Sequence, residues 1–206
     1  DVVYIEGEKS LARRRMQTVM YKALVDVVKL LTPILSFTTE EIWPLLHQDR
    51  DFAALADFPD ALGFTNQDDL LTKWPAFMDF REKVQKALEV ARDGKVIGKS
   101  LEAHVTVYAD ANLRSKLEVL DANLGQLLIV SQFTIADAAD APADAQDVDG
   151  LHLVVEHAAG EVCDRCRMTT TTVGADEHYP HFCARCAGIV AESFPETLAA
   201  DFEFEA

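Results

Sequence analysis

The sequence predicts a mainly α protein: a helical bundle, then a small α/β region, then a C-terminal four-cysteine zinc knuckle. Three observations carry this reading. Apolar residues recur at helical spacing from Ser10 to Leu31 and again from Pro75 to Asp93, the period changes to two after Gly98, and all four cysteines lie between Cys163 and Cys186. The expected divisions are 1–98 for the helical region, 99–159 for the α/β region, and 160–206 for the knuckle and its tail.

The first long helix is expected from Ser10 to Leu31, closed by Pro33, with Met16, Val19, Met20, Ala23, Leu24, Val27, Val28, Leu30 and Leu31 forming the apolar arc of a bundle helix. On the opposite face Arg15, Lys22 and Lys29 recur at heptad spacing, which fits either a solvated stripe or a phosphate-facing ridge. Thr38 and Glu41 have the spacing of a capping box, so a short helix should start there and be limited by Pro44, with Trp43 in the core. Residues 48–69 lack periodicity and read as an irregular connection. A second long helix is expected to begin at Pro75 and stop at Gly94, with Phe77, Phe80, Val84, Ala87, Leu88 and Ala91 facing inward. Beyond it, His104 to Tyr108 reads as a strand, Asn112 to Leu120 as a helix, and Leu127 to Ile135 and Leu151 to His157 as strands. The Ala/Asp-rich stretch from Ala136 to Gly150 reads as a mobile loop or linker.

The chain has 206 residues and is 49% hydrophobic, enough for one large core or two small ones. No apolar run is long enough to span a membrane and no secretory signal pattern occurs, so a soluble, cytoplasmic protein without membrane contact is expected. A monomer is the expected state. The first residue is Asp1, and helix-like sequence begins almost at once, as in a piece of a longer protein. A net charge of -16 opposes phosphate binding, but the charge is partly segregated. Residues 137–149 hold five aspartates and no basic residue, whereas residues 81–99 hold six basic and three acidic residues. Arg81, Lys86, Arg92, Lys95 and Lys99 are therefore candidates for a phosphate-binding strip.

Cys163-x2-Cys166 and Cys183-x2-Cys186, sixteen residues apart, have the spacing of a closed tetrahedral site for one structural Zn2+. Such a site leaves no position for water, so its expected role is not catalytic. His178 and His181 are near in sequence but are not needed as ligands. Arg165, Arg167 and Arg185 lie in or beside the ligand turns, where they suit RNA recognition or an offset to the thiolate charge. No Gly-rich phosphate loop, catalytic zinc motif or nucleophile elbow occurs, and no catalytic residue is assigned.

The segments Ser10-Leu-Ala-Arg-Arg-Arg-Met-Gln-Thr-Val-Met-Tyr21, Pro33-Ile-Leu-Ser-Phe-Thr-Thr-Glu-Glu-Ile-Trp43 and Ile97-Gly-Lys-Ser-Leu-Glu-Ala103, in this order and ahead of the cysteine pairs, resemble bacterial isoleucine tRNA ligases of the class Ia synthetases. The resemblance covers nearly all of residues 2–190 and implies a helical anticodon-binding domain, an α/β region and a terminal zinc knuckle. It implies tRNA(Ile) as a partner, together with N-terminal catalytic and editing domains of the same polypeptide. ATP and Mg2+ would be used only in that catalytic domain, whose motifs these residues lack, so the chain alone is expected to be inactive. The family's tryptophan after the second cysteine, a base-stacking platform, is Arg167 here. Two alternatives stand beside this reading: the equivalent region of a valine tRNA ligase, and a zinc-stabilised protein-interaction module without RNA contact.

Overall fold

A computed structural model of the chain describes residues 2–61, 67–118, 120 and 122–194. Part of the expected 48–69 connection and the tail 195–206 lie outside the described residues. The protein is helix-rich with two small sheets and divides into two compact units, residues 1–65 and 66–206. Among the described residues no helix is long and apolar enough to cross a membrane.

In the first unit α1 (Val2–Ile5) precedes α2 (Leu11–Leu31), which starts where the Ser10 side chain accepts from the Arg13 backbone N–H at 3.4 Å. Only a narrow stripe of α2 is covered: Val25 and Val28 pack with Trp43, Leu46 and Ala53. Most of the expected apolar arc, including Met16, Val19, Met20, Leu24, Val27 and Leu30, is exposed in the structure. The physical reason is size, since its neighbours in this unit, α1, α3 (Ser36–Ile42) and the 3-10 turns Trp43–Leu46 and Ala53–Leu55, are each seven residues or shorter against a helix of 21 residues. Trp43 is buried and its indole N–H donates to the Arg50 carbonyl at 2.7 Å. The expected capping box at Thr38 and Glu41 does not form, because α3 already begins at Ser36 and Thr38 sits within it. Glu40 instead accepts from the backbone N–H groups of Ala53 and Ala54 at 3.1 and 2.9 Å, which fixes the loop beyond.

The second unit opens with α4 (Gln67–Asp93), eight residues longer at its N-terminus than the Pro75 start expected from sequence. Asp68 and Asp69 complement the helix dipole in the first turn, and the Lys73–Asp69 pair at 2.6 Å reinforces it, so Pro75 is carried inside the helix. At the other end the left-handed residue is Lys95 (φ 57°), not Gly94. Val96 N–H bonds to the Ala91 carbonyl at 2.9 Å and Lys95 N–H to that of Arg92 at 3.0 Å, a Schellman closure.

The chain then forms β1 (Ala103–Ala109), α5 (Ala111–Glu118), α6 (Leu124–Leu128), β2 (Gln132–Asp137), β3 (Gln146–Val148) and β4 (Leu151–His157). The four strands make one sheet in the order β2-β1-β4-β3, with β1 parallel to β2 and antiparallel to β4. Burial alternates strictly along β1, and its inward residues Ala103, Val105, Val107 and Ala109 share a core with Phe77, Phe80, Val84, Leu88, Leu153 and Val155. The apolar face of α4 thus finds its cover on the sheet.

Two expectations for this unit are corrected. The run Leu127–Ile135 is not one strand: its first residues belong to α6, Ile129 turns left-handed at φ 61°, and β2 starts at Gln132. The segment 136–150 is not a linker, because β3 within it pairs with β4 through the two-residue turn Asp149–Gly150, both at positive φ.

Candidate functional site

The C-terminal part carries the metal-binding constellation. β5 (Glu161–Val162) and β6 (Thr169–Thr170) pair antiparallel, and Cys163 and Cys166 sit in the turn between them. That turn is closed by Arg167 N–H to the Cys163 carbonyl at 2.8 Å and Cys163 N–H to the Met168 carbonyl at 2.9 Å, with Arg167 left-handed at φ 63°. Cys183 occupies the N-cap of α7 (Ala184–Ser193), and Cys186 lies one turn in. In the segment just before Cys183, Tyr179 and Phe182 stack with ring centroids 6.0 Å apart, both buried.

All four cysteines are buried, and their Sγ atoms lie within 4.8 Å of one another. Cys166 and Cys183 Sγ are 3.9 Å apart, against about 3.8 Å for the edge of a tetrahedron with Zn–S bonds of ~2.3 Å. The residues therefore fit a structural Zn2+. His178 pairs with Asp176, and neither it nor His181 belongs to the cluster.

The electrostatics of the cluster suit a dication. Cys166 is drawn down to about 4, first by hydrogen bonding with Cys186. Cys186 is pushed up by that same bond and then by burial. Burial, and after it the nearby sulfur charges, pushes Cys183 up. A bound Zn2+ would supply the positive charge that holds the four sulfurs as thiolates.

A part-buried hydrogen-bond junction ties the cysteine hairpin to the segments that lead into β1 and β2. Thr169, 1% exposed, donates its N–H to Ser131 Oγ at 2.8 Å and its hydroxyl to the Leu101 carbonyl at 3.2 Å. Ser131 Oγ donates to the same Leu101 carbonyl. Leu101 lies in a tight loop in which Glu102 accepts from the N–H groups of Gly98 at 2.7 Å and Lys99 at 3.2 Å. These two bonds, Gly98 first, hold the Glu102 carboxyl below its ordinary pKa. Sequence reasoning missed Ser131 and Thr169, which carry no pattern; Glu102 lay in plain view within the segment Ile97–Ala103.

The candidate cations are differently engaged. Arg81 is half-buried and donates to the Leu127 carbonyl at 3.4 Å. Lys86 bridges Asp149 at 3.3 Å and Glu82 at 3.4 Å. Arg92 is exposed and its Nη2 reaches Ser100 Oγ at 3.4 Å, while Lys95 and Lys99 are exposed on the loop after α4. In the knuckle, Arg165 Nη1 donates to Cys186 Sγ at 3.6 Å, Arg167 pairs with Asp164 at 3.5 Å, and Arg185 Nη2 lies 4.0 Å from Met168 Sδ.

Comparison with known proteins agrees with this geometry. Residues 160–188 match a family described as "Zinc finger found in FPG and IleRS". The chain is 55% identical over 204 residues to an isoleucine–tRNA ligase of Lacticaseibacillus casei, and 54% and 50% identical to those of Streptococcus thermophilus and Lactiplantibacillus plantarum. Each alignment covers 98% of this chain, which spans 22% of the length of these curated relatives. Residues 2–107, more than half of the sequence, match the family described as "Anticodon-binding domain of tRNA ligase", and the chain belongs to that family.

Proposed function

We propose that the chain is the anticodon-arm-recognising end of an isoleucine tRNA ligase, whose catalytic and editing domains precede it in the polypeptide. The observation that carries this reading is the pairing, in one chain, of an anticodon-binding match over residues 2–107 with a zinc-finger match over residues 160–188 whose four cysteines cluster. The likeness to isoleucine ligases over 98% of the chain favours isoleucine over valine. In this reading tRNA(Ile) is the partner, the whole enzyme is a cytoplasmic monomer, and ATP with Mg2+ acts only in the catalytic domain. The helical region 1–98 would receive the anticodon stem as a bundle, with the α/β region 99–159 linking it to the knuckle at 160–206.

Phosphate contacts are assigned to Arg92, Lys95 and Lys99, and base or phosphate contacts to Arg165, Arg167 and Arg185. Arg81 and Lys86 would join them by exchanging the intramolecular partners they hold. Arg167 can stack on a base through its guanidinium plane. Zinc supplies rigidity to the knuckle turns, while Thr169 and Ser131 fix those turns on the same body as the Lys99 loop.

The deciding experiment is a salt-dependent titration of the chain against isoleucine and valine tRNA transcripts. Tighter binding of the isoleucine transcript, falling by about 0.7–0.9 log units per neutralised phosphate per log unit of salt, is expected. Absence of binding at low salt would favour the second reading, a zinc-stabilised protein-interaction module. The exposed apolar residues of α2, among them Met16, Val19, Met20 and Leu24, give that reading its support.

A further inference from the structure

The proposed RNA contacts leave the basic line of α2 unused. Arg15, Lys22 and Lys29 succeed one another at heptad spacing, about 10.5 Å apart at ~1.5 Å rise per residue. None of the three has an ion pair among the described residues, unlike Lys86 with its two carboxylate partners. Lys22 and Lys29, together with residues 57–61, line an open surface cavity of about 490 Å3. Phe58 in that loop is 65% exposed, leaving an aromatic ring uncovered beside the cavity.

Asp26, between the two lysines, and Asp57 and Asp60 on the loop also face this space. A free phosphate would meet more carboxylates than ammonium groups there and is a poor occupant. A nucleotide resolves the conflict, because its negative charge and its hydrogen-bond donors sit on different parts of the molecule. Its phosphates suit the lysine line, its ring suits an exposed aromatic, and an exocyclic amino group suits a carboxylate acceptor.

We propose that this cavity binds one unpaired RNA nucleotide whose base carries an exocyclic amino group. The base stacks on Phe58 and its amino group donates to Asp26, Asp57 or Asp60. The flanking phosphates lie along Lys22, Lys29 and Arg15. The site rests on the proposed RNA-binding role and adds to it a contact in the first compact unit, outside both the Lys99 loop and the knuckle.

The test uses the whole chain in its zinc form, titrated at low salt with labelled hexacytidylate, hexauridylate, a basic hexapeptide and an anticodon-arm hairpin. Hexacytidylate should bind about tenfold more tightly than hexauridylate, which lacks the amino group. Phe58→Ala should weaken hexacytidylate binding about tenfold, and Lys22→Gln with Lys29→Gln should lower its salt slope by about 0.7 per lost phosphate contact. Lys116→Gln on α5 should change neither, and unchanged thermal midpoints of the variants keep the comparison valid. Equal binding of the two homopolymers, indifference to Phe58→Ala, or capture of the basic peptide in place of RNA would overturn the site. If these tests fail while the hairpin still binds, the cavity falls and anticodon-arm recognition stands. If the hairpin fails while hexacytidylate behaves as expected, the site stands and the anticodon-arm reading falls.

Discussion

Lys86 on α4 donates to Asp149 Oδ2 at 3.3 Å, and the neighbouring Lys83 donates to the Asp149 carbonyl at 3.4 Å, so the tip of the β3–β4 hairpin is clasped to the long helix. Asp149 first, then Glu82, raises the Lys86 pKa. A raised lysine pKa means that this clasp is fully present at neutral pH and is lost only as pH climbs through the folded-state value, above ~10.4. Asp149→Asn should therefore leave the thermal midpoint at pH 7 nearly unchanged, as for exposed pairs generally. Glu82 still holds Lys86 at 3.4 Å in that variant, so Lys86 is freed only when Glu82→Gln is combined with it; if the helix strip meets RNA, the double variant should steepen the salt slope by up to about 0.7–0.9. An unchanged slope, read from titrations at several salt concentrations, would remove Lys86 from the strip.

Zinc removal should act beyond the cysteine turns. The Thr169 bonds to Ser131 and Leu101 run from the cysteine hairpin into the sheet, and segment 136–150 is a part of that sheet rather than a slack tether. Chelation should abolish hydrogen-exchange protection across residues 161–186, the Thr169 amide included, and loosen the 98–102 loop and the backbone around Ser131 beyond it. Protection in α2, in the other compact unit, should persist. A loss confined to 163–186 would show that the junction transmits nothing.

Ser131→Ala removes the acceptor of the Thr169 N–H and one donor to the Leu101 carbonyl. Since Thr169 is 1% exposed, water cannot readily take that place, and the orphaned group should cost about 1–3 kcal/mol. A urea melt of the zinc-bound chain reads this as a lower midpoint with unchanged slope. Thr169→Val, which loses only the hydroxyl bond to Leu101, should cost less.

Glu102 gives the Lys99 loop an acid sensitivity. Its carboxylate accepts from Gly98 and Lys99 N–H groups, and its pKa is lowered on folding. The bonds' contribution is present above the unfolded value of ~4.3 and is lost as pH falls through the lower folded value. Amide shifts of Gly98 and Lys99 should titrate together, below the ordinary carboxylate range, and Glu102→Gln should flatten that titration while keeping the loop folded. Separate midpoints for the two amides would mean that the loop is held by something else.

Legibility in the sequence divides along physical lines. The Ser10 cap of α2, the alternation of β1 and the doubled cysteine pairs are local patterns, and each was readable. The start of α4 was hidden because Pro75 reads as a first-turn residue, although Asp68 and Asp69 already marked the dipole end. Asp149–Gly150 was a readable two-residue turn masked by its Ala/Asp-rich surroundings. Helical periodicity in α2 identified the apolar arc but not its cover, because coverage depends on partners distant in sequence. The same holds for Ser131 and Thr169, ordinary residues whose role exists only once three segments meet.

Gly160, just ahead of the cysteine hairpin, is the position where a single methyl group should do most harm. Its φ is +105°, a conformation that side chains rarely adopt, and a Cβ built there would lie 2.2 Å from the Thr170 carbonyl carbon and 2.4 Å from the Thr171 nitrogen. The obstructing atoms are backbone and cannot swing aside. Moving them displaces Thr170, which pairs with Glu161, and drags on the buried Thr169 beside it. Backbone strain alone amounts to about 1–3 kcal/mol, so Gly160→Ala should lower the unfolding midpoint of the knuckle and weaken zinc retention in a competition with a chromogenic chelator. Gly188→Ala on α7, where an added Cβ meets nothing within 4 Å, provides the control and should hold zinc as the parent chain does. If Gly160→Ala retains zinc equally well, the hairpin can shift without disturbing the cysteines, and the rigid mounting of the knuckle on the sheet is refuted.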